Sequence, residues 1–271
     1  MNRKDCNESL FTIPGTVTWK LLSLNKQHEY RIYIYRPSEP PPSNGYPVLY
    51  LLDANAIFGS FAEAVRLQTR KPHGYEPMVV VGIAYDTNEP FHQNRRIFDY
   101  TVEALSNELP IRPNGSNWPK TGGADAFLAF IEEELKPAIQ KSISVDPMRQ
   151  SLFGHSLGGL FALYVFFTKT TSFQNYIAGS PSIWWKNRYI LELEKTYCDH
   201  LDSIKRNNDT GLLLAVGGNE KTHMIQDAAS MFKRLKNYPL RTEFSCYEDE
   251  GHVSILHSLI SRSLKFVLRK D

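Results

Sequence analysis

The chain predicts an α/β fold: a mostly parallel sheet opened by an antiparallel N-terminal hairpin, with helices on both faces. Three observations carry this. Strand-like and helix-like segments alternate along the 271 residues with connections of crossover length. Two short, nearly continuous apolar runs, 48–52 and 78–84, follow Pro47 and Pro77, as parallel strands covered on both faces require. The composition, 42% hydrophobic and 22% charged, is that of an ordinary globular chain, and α/β chains of this length form one domain, here residues 1–271.

Taken in order, residues 18–24 and 29–35 are expected strands, joined as a hairpin across Asn25-Lys26-Gln27-His28. In the second, Tyr30, Ile32 and Ile34 alternate with Arg31, Tyr33 and Tyr35, the period of a half-buried strand. Residues 37–47 form a loop, with Ser43-Asn44-Gly45 as turn chemistry. Residues 57–67 read as a helix between the two apolar runs. The stretch 85–123 is the least regular part of the chain, rich in Pro, Asn and Gly from Pro110 onward, and loops this long in compact domains are commonly functional. A helix is expected over 124–141, with Ala126, Phe127, Phe130, Ile131 and Leu135 on its apolar face and Glu132-Glu133-Glu134 mostly solvated. Further strands are expected over 173–178, 211–216 and 242–247, and helices over 187–198, 222–237 and 253–268.

Bulk properties exclude several function classes. A net charge of +2, with basic residues scattered among acidic ones, argues against a nucleic-acid partner. No stretch approaches membrane-spanning length without charge, so no membrane partner is expected. Cys6, Cys198 and Cys246 are odd in number and widely spaced, matching neither a disulfide framework nor a zinc site. Met1-Asn2-Arg3-Lys4-Asp5 leads into Cys6-Asn7-Glu8 rather than an apolar segment, and the expected location is the cytoplasm. No cofactor and no metal are expected.

The chemistry points to Gly154-His155-Ser156-Leu157-Gly158. Chance alone produces Gly-x-Ser-x-Gly in roughly one chain in ten of this length. Here, however, the strand-like Gln150-Ser151-Leu152-Phe153 precedes it and the unbroken apolar run 159–167 follows. Strand, tight turn and helix together are the setting of a nucleophile elbow and hence of an α/β-hydrolase fold. The flanking glycines have a steric reason, because the turn crowds strand against helix. A serine needs a base, and in this fold the chain order is Ser, acid, His. Of His200, His223, His252 and His257, His252 lies beyond the last strand at the head of the terminal helix and is the expected base. The acid should follow the strand at 211–216, where Glu220 stands, with Asp227 as competitor. The backbone N–H of Leu157 and one from Ala54 or Asn55 are the expected oxyanion donors, with Asp53 bracing that loop.

Several segments together resemble the trilactone siderophore hydrolases, the enterobactin and bacillibactin esterase branch of the esterase D-like family. They are Tyr50-Leu51-Leu52-Asp53-Ala54-Asn55-Ala56, Val81-Gly82-Ile83-Ala84-Tyr85, Arg95-Arg96-Ile97-Phe98-Asp99-Tyr100-Thr101, the elbow itself, Ser180-Pro181-Ser182-Ile183-Trp184-Trp185, and Gly251-His252. Relatives often carry Gly where this chain has Ala54, and some are described with a Ser–His dyad, which leaves the role of Glu220 open. The resemblance implies a serine esterase that opens a catecholate siderophore trilactone and releases its iron. Its partner would be a small-molecule ester, with an anionic ferric siderophore as the specific case. A ferric tris-catecholate is a bulky anion with flat aromatic faces, so cations and aromatic surfaces should meet it. Arg95, Arg96, Trp118, Lys120, Trp184, Trp185 and Lys186 are the candidates, against core packing for a tryptophan and an ion pair for one arginine. The segment between 179 and 211 has room for a helix and loops but no lid domain, which implies an open site. A general carboxylesterase or thioesterase, of the S-formylglutathione hydrolase kind, is the enzymatic alternative. A catalytically silent binding protein is the alternative from another class.

Overall fold

The computed structural model describes residues 10–24, 28–72, 74–112, 115–201 and 210–269. The hairpin turn at 25–27 and Cys6 lie outside them. Among the described residues, eight strands form one sheet: β1 (Thr16–Leu22), β2 (Glu29–Tyr35), β3 (Tyr46–Leu51), β4 (Val79–Ala84), β5 (Val145–His155), β6 (Asn175–Gly179), β7 (Gly211–Gly217) and β8 (Arg241–Tyr247). Their order is β1-β2-β4-β3-β5-β6-β7-β8. The β1–β2 and β2–β4 pairs are antiparallel and every other pair is parallel.

The period-2 geometry of a strand sends successive side chains to opposite faces, and here both faces are covered. Leu49, Leu51, Val80, Phe153, Ile177 and Leu213 meet α1 (Ala54–Gln68) and α9 (Ile255–Val267). Val48, Tyr50, Val81, Leu152, Tyr176 and Leu212 face the opposite layer. That layer holds α2 (Gln93–Tyr100), α3 (Ala124–Phe130), α4 (Lys136–Ser142), α5 (Leu157–Thr168), the four-residue segment α6 (Trp185–Arg188), whose last three residues are left-handed, α7 (Ile190–Asp199) and α8 (Thr222–Leu235). This is why the middle strands read as unbroken apolar runs. It also corrects Tyr35: expected on the polar face of β2, it is buried against α1.

Two helices depart from expectation for identifiable reasons. Between α3 and α4, Ile131–Leu135 runs as a π segment. Pro137 follows it, and a proline inside a helix cannot donate the i→i−4 bond and clashes with the preceding turn, so a locally wider helix accommodates it. The second is α2, inside the stretch expected to be irregular. Its buried face is Arg96, Ile97, Asp99 and Tyr100, a pattern in which paired charges stand where periodicity looks for apolar residues.

Helix α5 is buried from Leu157 to Phe167, because it packs on β5 and β6 beneath α7. Its closeness to β5 and β6 is set by glycine. A Cβ on Gly154 would lie 2.0 Å from the Gly158 carbonyl oxygen, and one on Gly159 would lie 2.8 Å from that of Gly179. Gly158, expected to share this crowding, would make only ordinary contacts at 3.5 Å. We predict that Gly154→Ala lowers the unfolding free energy by about 3 kcal/mol or more, measured by urea titration. A loss below about 1 kcal/mol would show that helix and strand can separate.

Candidate active site

Parallel strands deliver their loops to one edge of the sheet, where ligands of open α/β folds bind. The loops after β3, β4, β5, β6, β7 and β8 meet here. The β5–α5 turn carries Ser156, whose φ of 59° and ψ of −117° lift its side chain out of both elements. Its N–H donates to the Gly179 carbonyl at 2.9 Å, and its own carbonyl accepts from Leu160 at 2.9 Å and Ser182 at 3.1 Å. After β7, Gly217-Gly218 turns back beside the loop after β8. A Cβ on either glycine would strike the carbonyl oxygens of Glu250 or Glu248, so only glycine lets the two loops touch. Asn219 N–H then donates to Glu250 at 3.0 Å, which joins the Glu220 turn to the His252 loop.

The side chains form a continuous relay. His252 Nε2 lies 3.1 Å from Ser156 Oγ, and His252 Nδ1 lies 2.9 Å from Glu220 Oε2. With Nδ1–H donating to the carboxylate, Nε2 presents its lone pair to the serine hydroxyl. The Glu220 side chain is fully buried, whereas that of His252 is 39% exposed. Burial alone would raise the Glu220 pKa. Hydrogen bonds from His252, Ser180 Oγ and the Gly217 N–H outweigh it and hold the carboxyl below its ordinary range. Asp227, the competing acid, is paired with Arg188 instead. His257 sits beside Ser60, while His223 lines the cleft.

The oxyanion candidates stand at two helix starts, where the first N–H groups lack intrahelical acceptors. Leu157 opens α5, and Ala54 and Asn55 open α1. Asp53 N–H donates to Tyr100 Oη at 3.0 Å and is thereby occupied. The Asn55 side chain braces the ends of β3 and β4 through Tyr85 and Thr87.

A cleft of about 810 Å³ opens over Ser156, Ser182, Glu220 and His252. It is lined by Leu109, Pro110, Ile111, Arg112 and Trp118 of the long loop and by Trp184, Asn187, Arg188, Lys221, His223 and Met224, with the Trp118 and Trp184 rings 6.2 Å apart, centroid to centroid. Of the expected substrate contacts, the structure brings Trp118 and Trp184 into this cleft and leaves the others out. Arg96 is 6% exposed and clamps Asp53 through Nε at 3.0 Å and Nη2 at 2.9 Å. Arg95 pairs with buried Asp99 and lies over the rings of Tyr30 and Tyr85. Trp185 is fully buried core. Lys120 rests over Phe98, and Lys186 donates to the Glu103 carbonyl at 2.8 Å. In each case a nearer internal partner takes the side chain. Sequence reasoning missed Ser180, Ser182, Arg112, Arg188 and Lys221. The two serines follow a strand expected in the sheet, so the carboxyl-edge rule could have found them. Among the described residues, no group of three or more His, Cys, Asp or Glu is arranged to hold a metal ion.

His155 carries out a task that the motif did not reveal. It is buried, its ring packs 4.7 Å from that of His252, and its Nε2–H donates to the His252 carbonyl at 2.7 Å. Burial, with the neighbouring imidazole, pushes His155 down to about 3. The unfolded chain therefore takes up a proton near pH 6.5 that the folded chain refuses until about 3. This contribution to stability is present above about pH 6.5 and is lost as the pH falls toward 3. Between pH 6 and 4 the wild-type unfolding free energy should fall more steeply than that of His155→Gln, by up to about 1.4 kcal/mol per pH unit. Parallel slopes would contradict it. Arg96→Ala should cost about 3–5 kcal/mol by leaving Asp53 buried and unpaired. It should also reduce hydrolysis of anionic and neutral esters by equal factors, and a selective loss on the anionic ester would return Arg96 to the substrate site.

The Putative esterase family model matches residues 23–253. The ferri-bacillibactin esterase BesA of Bacillus subtilis (strain 168) is 48% identical over 271 residues, covering 96% of this chain and 92% of its own. A siderophore enterobactin esterase of Emericella nidulans is 37% identical over 246 residues, 81% of each chain. The crystal structure of the BES protein from Bacillus cereus superposes with a TM-score of 0.91 at 40% identity, covering 98% of this chain and 100% of that one. With a strand-borne serine, an imidazole and a carboxylate in one relay, the chain belongs to this esterase family of the α/β-hydrolase superfamily, in its enterobactin and bacillibactin esterase branch, and is a serine ester hydrolase.

Proposed function

We propose that this enzyme hydrolyses the ester bonds of a catecholate siderophore trilactone, taken as its ferric complex, and so releases the iron. The observation that carries the reading is the Glu220–His252–Ser156 relay at the floor of a cleft lined by Trp118, Trp184, Arg112, Arg188 and Lys221. Flat aromatic walls and cations suit a bulky aromatic anion. Between β6 and β7 the described residues hold only α6 and α7, which suits an open site. The relatives are named for ferri-bacillibactin and enterobactin. We assign the reaction to the cytoplasm, where the unpaired Cys198 and Cys246 stay reduced.

In this mechanism Ser156 Oγ attacks the ester carbonyl as its proton passes to His252 Nε2. Glu220 holds the tautomer and stabilises the imidazolium. The N–H of Leu157, with that of Ala54 or Asn55, receives the charge on the carbonyl oxygen. The tetrahedral intermediate collapses, the imidazolium protonates the departing alkoxide, and an acyl-Ser156 ester remains. Water then gives a proton to His252 and attacks the acyl carbon. The proton returns to Ser156 Oγ as the carboxylic acid leaves and ionises in water. One water is consumed for each ester opened.

Ser156→Ala should lower kcat by about 10⁶-fold and Glu220→Gln by about 10⁴-fold, measured on one ester substrate. Near-wild-type activity in Glu220→Gln would mean that the serine and histidine suffice. Steady-state kinetics on a ferric catecholate trilactone and a p-nitrophenyl ester test the substrate. The trilactone should be preferred in kcat/KM by at least 100-fold; comparable values would favour a general carboxylesterase or thioesterase.

A further inference from the structure

Lys186, Asn187 and Arg188 hold φ values of 46°, 51° and 64°, three consecutive non-glycine residues in the left-handed region. Among the described residues, the other non-glycine positive φ values belong to Asp53, Ser156 and Ser180. Each of those is part of the elbow, its bracing loop or the support of Glu220. In the left-handed region Cβ crowds the following carbonyl, so such residues persist only where their surroundings hold them, and they gather at functional sites.

The 186–188 turn is held at both ends. Lys186 Nζ donates to the Glu103 carbonyl at 2.8 Å, and Arg188 Nε donates to both Asp227 oxygens at 3.0 Å. The consequence is that Arg188 lines the catalytic cleft, as Trp184 does. Only Nε is engaged by Asp227. Its two Nη groups have no protein partner among the described residues, and the side chain is 42% exposed. A guanidinium fixed at one nitrogen presents a planar pair of donors with little rotamer freedom left to lose, the geometry suited to a two-oxygen anion.

We propose that Arg188 is the specificity-determining residue for a negative charge on the acyl part of the ester. Its free Nη edge receives the catecholate or carboxylate oxygens while the carbonyl sits at Ser156. The identity of that anion as catecholate rests on the function proposed above; the preference for a charged acyl group does not. Asp227 positions the guanidinium, and the strained turn brings it to the cleft wall.

The test compares two simple esters, p-nitrophenyl butyrate and p-nitrophenyl hemisuccinate, alongside the ferric catecholate trilactone, in wild type and Arg188→Met. The ratio of kcat/KM for the anionic ester to that for the neutral one should fall by about tenfold or more in the variant, chiefly through KM. An unchanged ratio, whether both rates fall or neither does, overturns the assignment. As a binding measurement, a free catechol carboxylate should inhibit butyrate hydrolysis competitively, with an inhibition constant at least tenfold weaker in the variant. Equal constants count against Arg188. A wild-type enzyme that discriminates the two simple esters yet leaves the trilactone intact would sink the siderophore reading alone.

Discussion

Ser156 is held at φ 59° and ψ −117°, a conformation that a residue with a Cβ adopts only under compulsion. The compulsion comes from both sides. Strand β5 is fixed between β3 and β6, and α5 is buried along nearly its whole length. Gly154 lets α5 lie against β5, and Gly159 lets it lie against the end of β6, closer than any other residue would permit. The chain must therefore reverse within one residue, and that residue's side chain projects beyond the sheet edge. Everything else in the site is arranged around that fixed point. The turn after β6 ties its carbonyl, and the loops after β7 and β8 bring the carboxylate and the imidazole to it.

Buried charge does more for the scaffold than for the substrate. Arg96 and Asp53 are both buried and pair bidentately, which secures the loop that starts α1 to the helix α2. A buried pair of this kind contributes little net stability compared with an apolar core, but removing one partner is costly. Its value here is geometric. Asp53 keeps its left-handed backbone, Tyr100 occupies its N–H, and the next two amides stand at the helix start, where N–H groups have no intrahelical acceptor. Glu220 follows the same logic from the opposite side, with three donors fixing one buried carboxylate beneath the imidazole.

What could be read from the sequence is what depends on local pattern. The order of strands and helices, the elbow and the histidine after the last strand all leave such traces, because apolar runs and the Ser–acid–His order are properties of the chain itself. Glu220 followed from its place after β7. The fold around it then supplied the choice that the sequence left open, by pairing Asp227 with Arg188. The failures share one cause. Helix α2 escaped detection, and Arg96 was assigned to substrate, because a buried ion pair looks like a solvated face until its partner, 43 residues away, is seen. Trp184 and Trp185 are adjacent in sequence, yet one lines the cleft and the other is core. Lys186 and Arg188 exchange roles because the backbone between them turns left-handed, which no periodicity announces.

One imidazole, oriented by one buried carboxylate, turns Ser156 into a nucleophile. Reaction with a fluorophosphonate, followed by intact-protein and peptide mass spectrometry, tests it most directly. The expected result is one covalent adduct per chain on the peptide containing Ser156, with labelling slowed at least 100-fold in His252→Ala. A chain that remains unlabelled, carries its adduct on another residue, or labels at the same rate without His252 would contradict it.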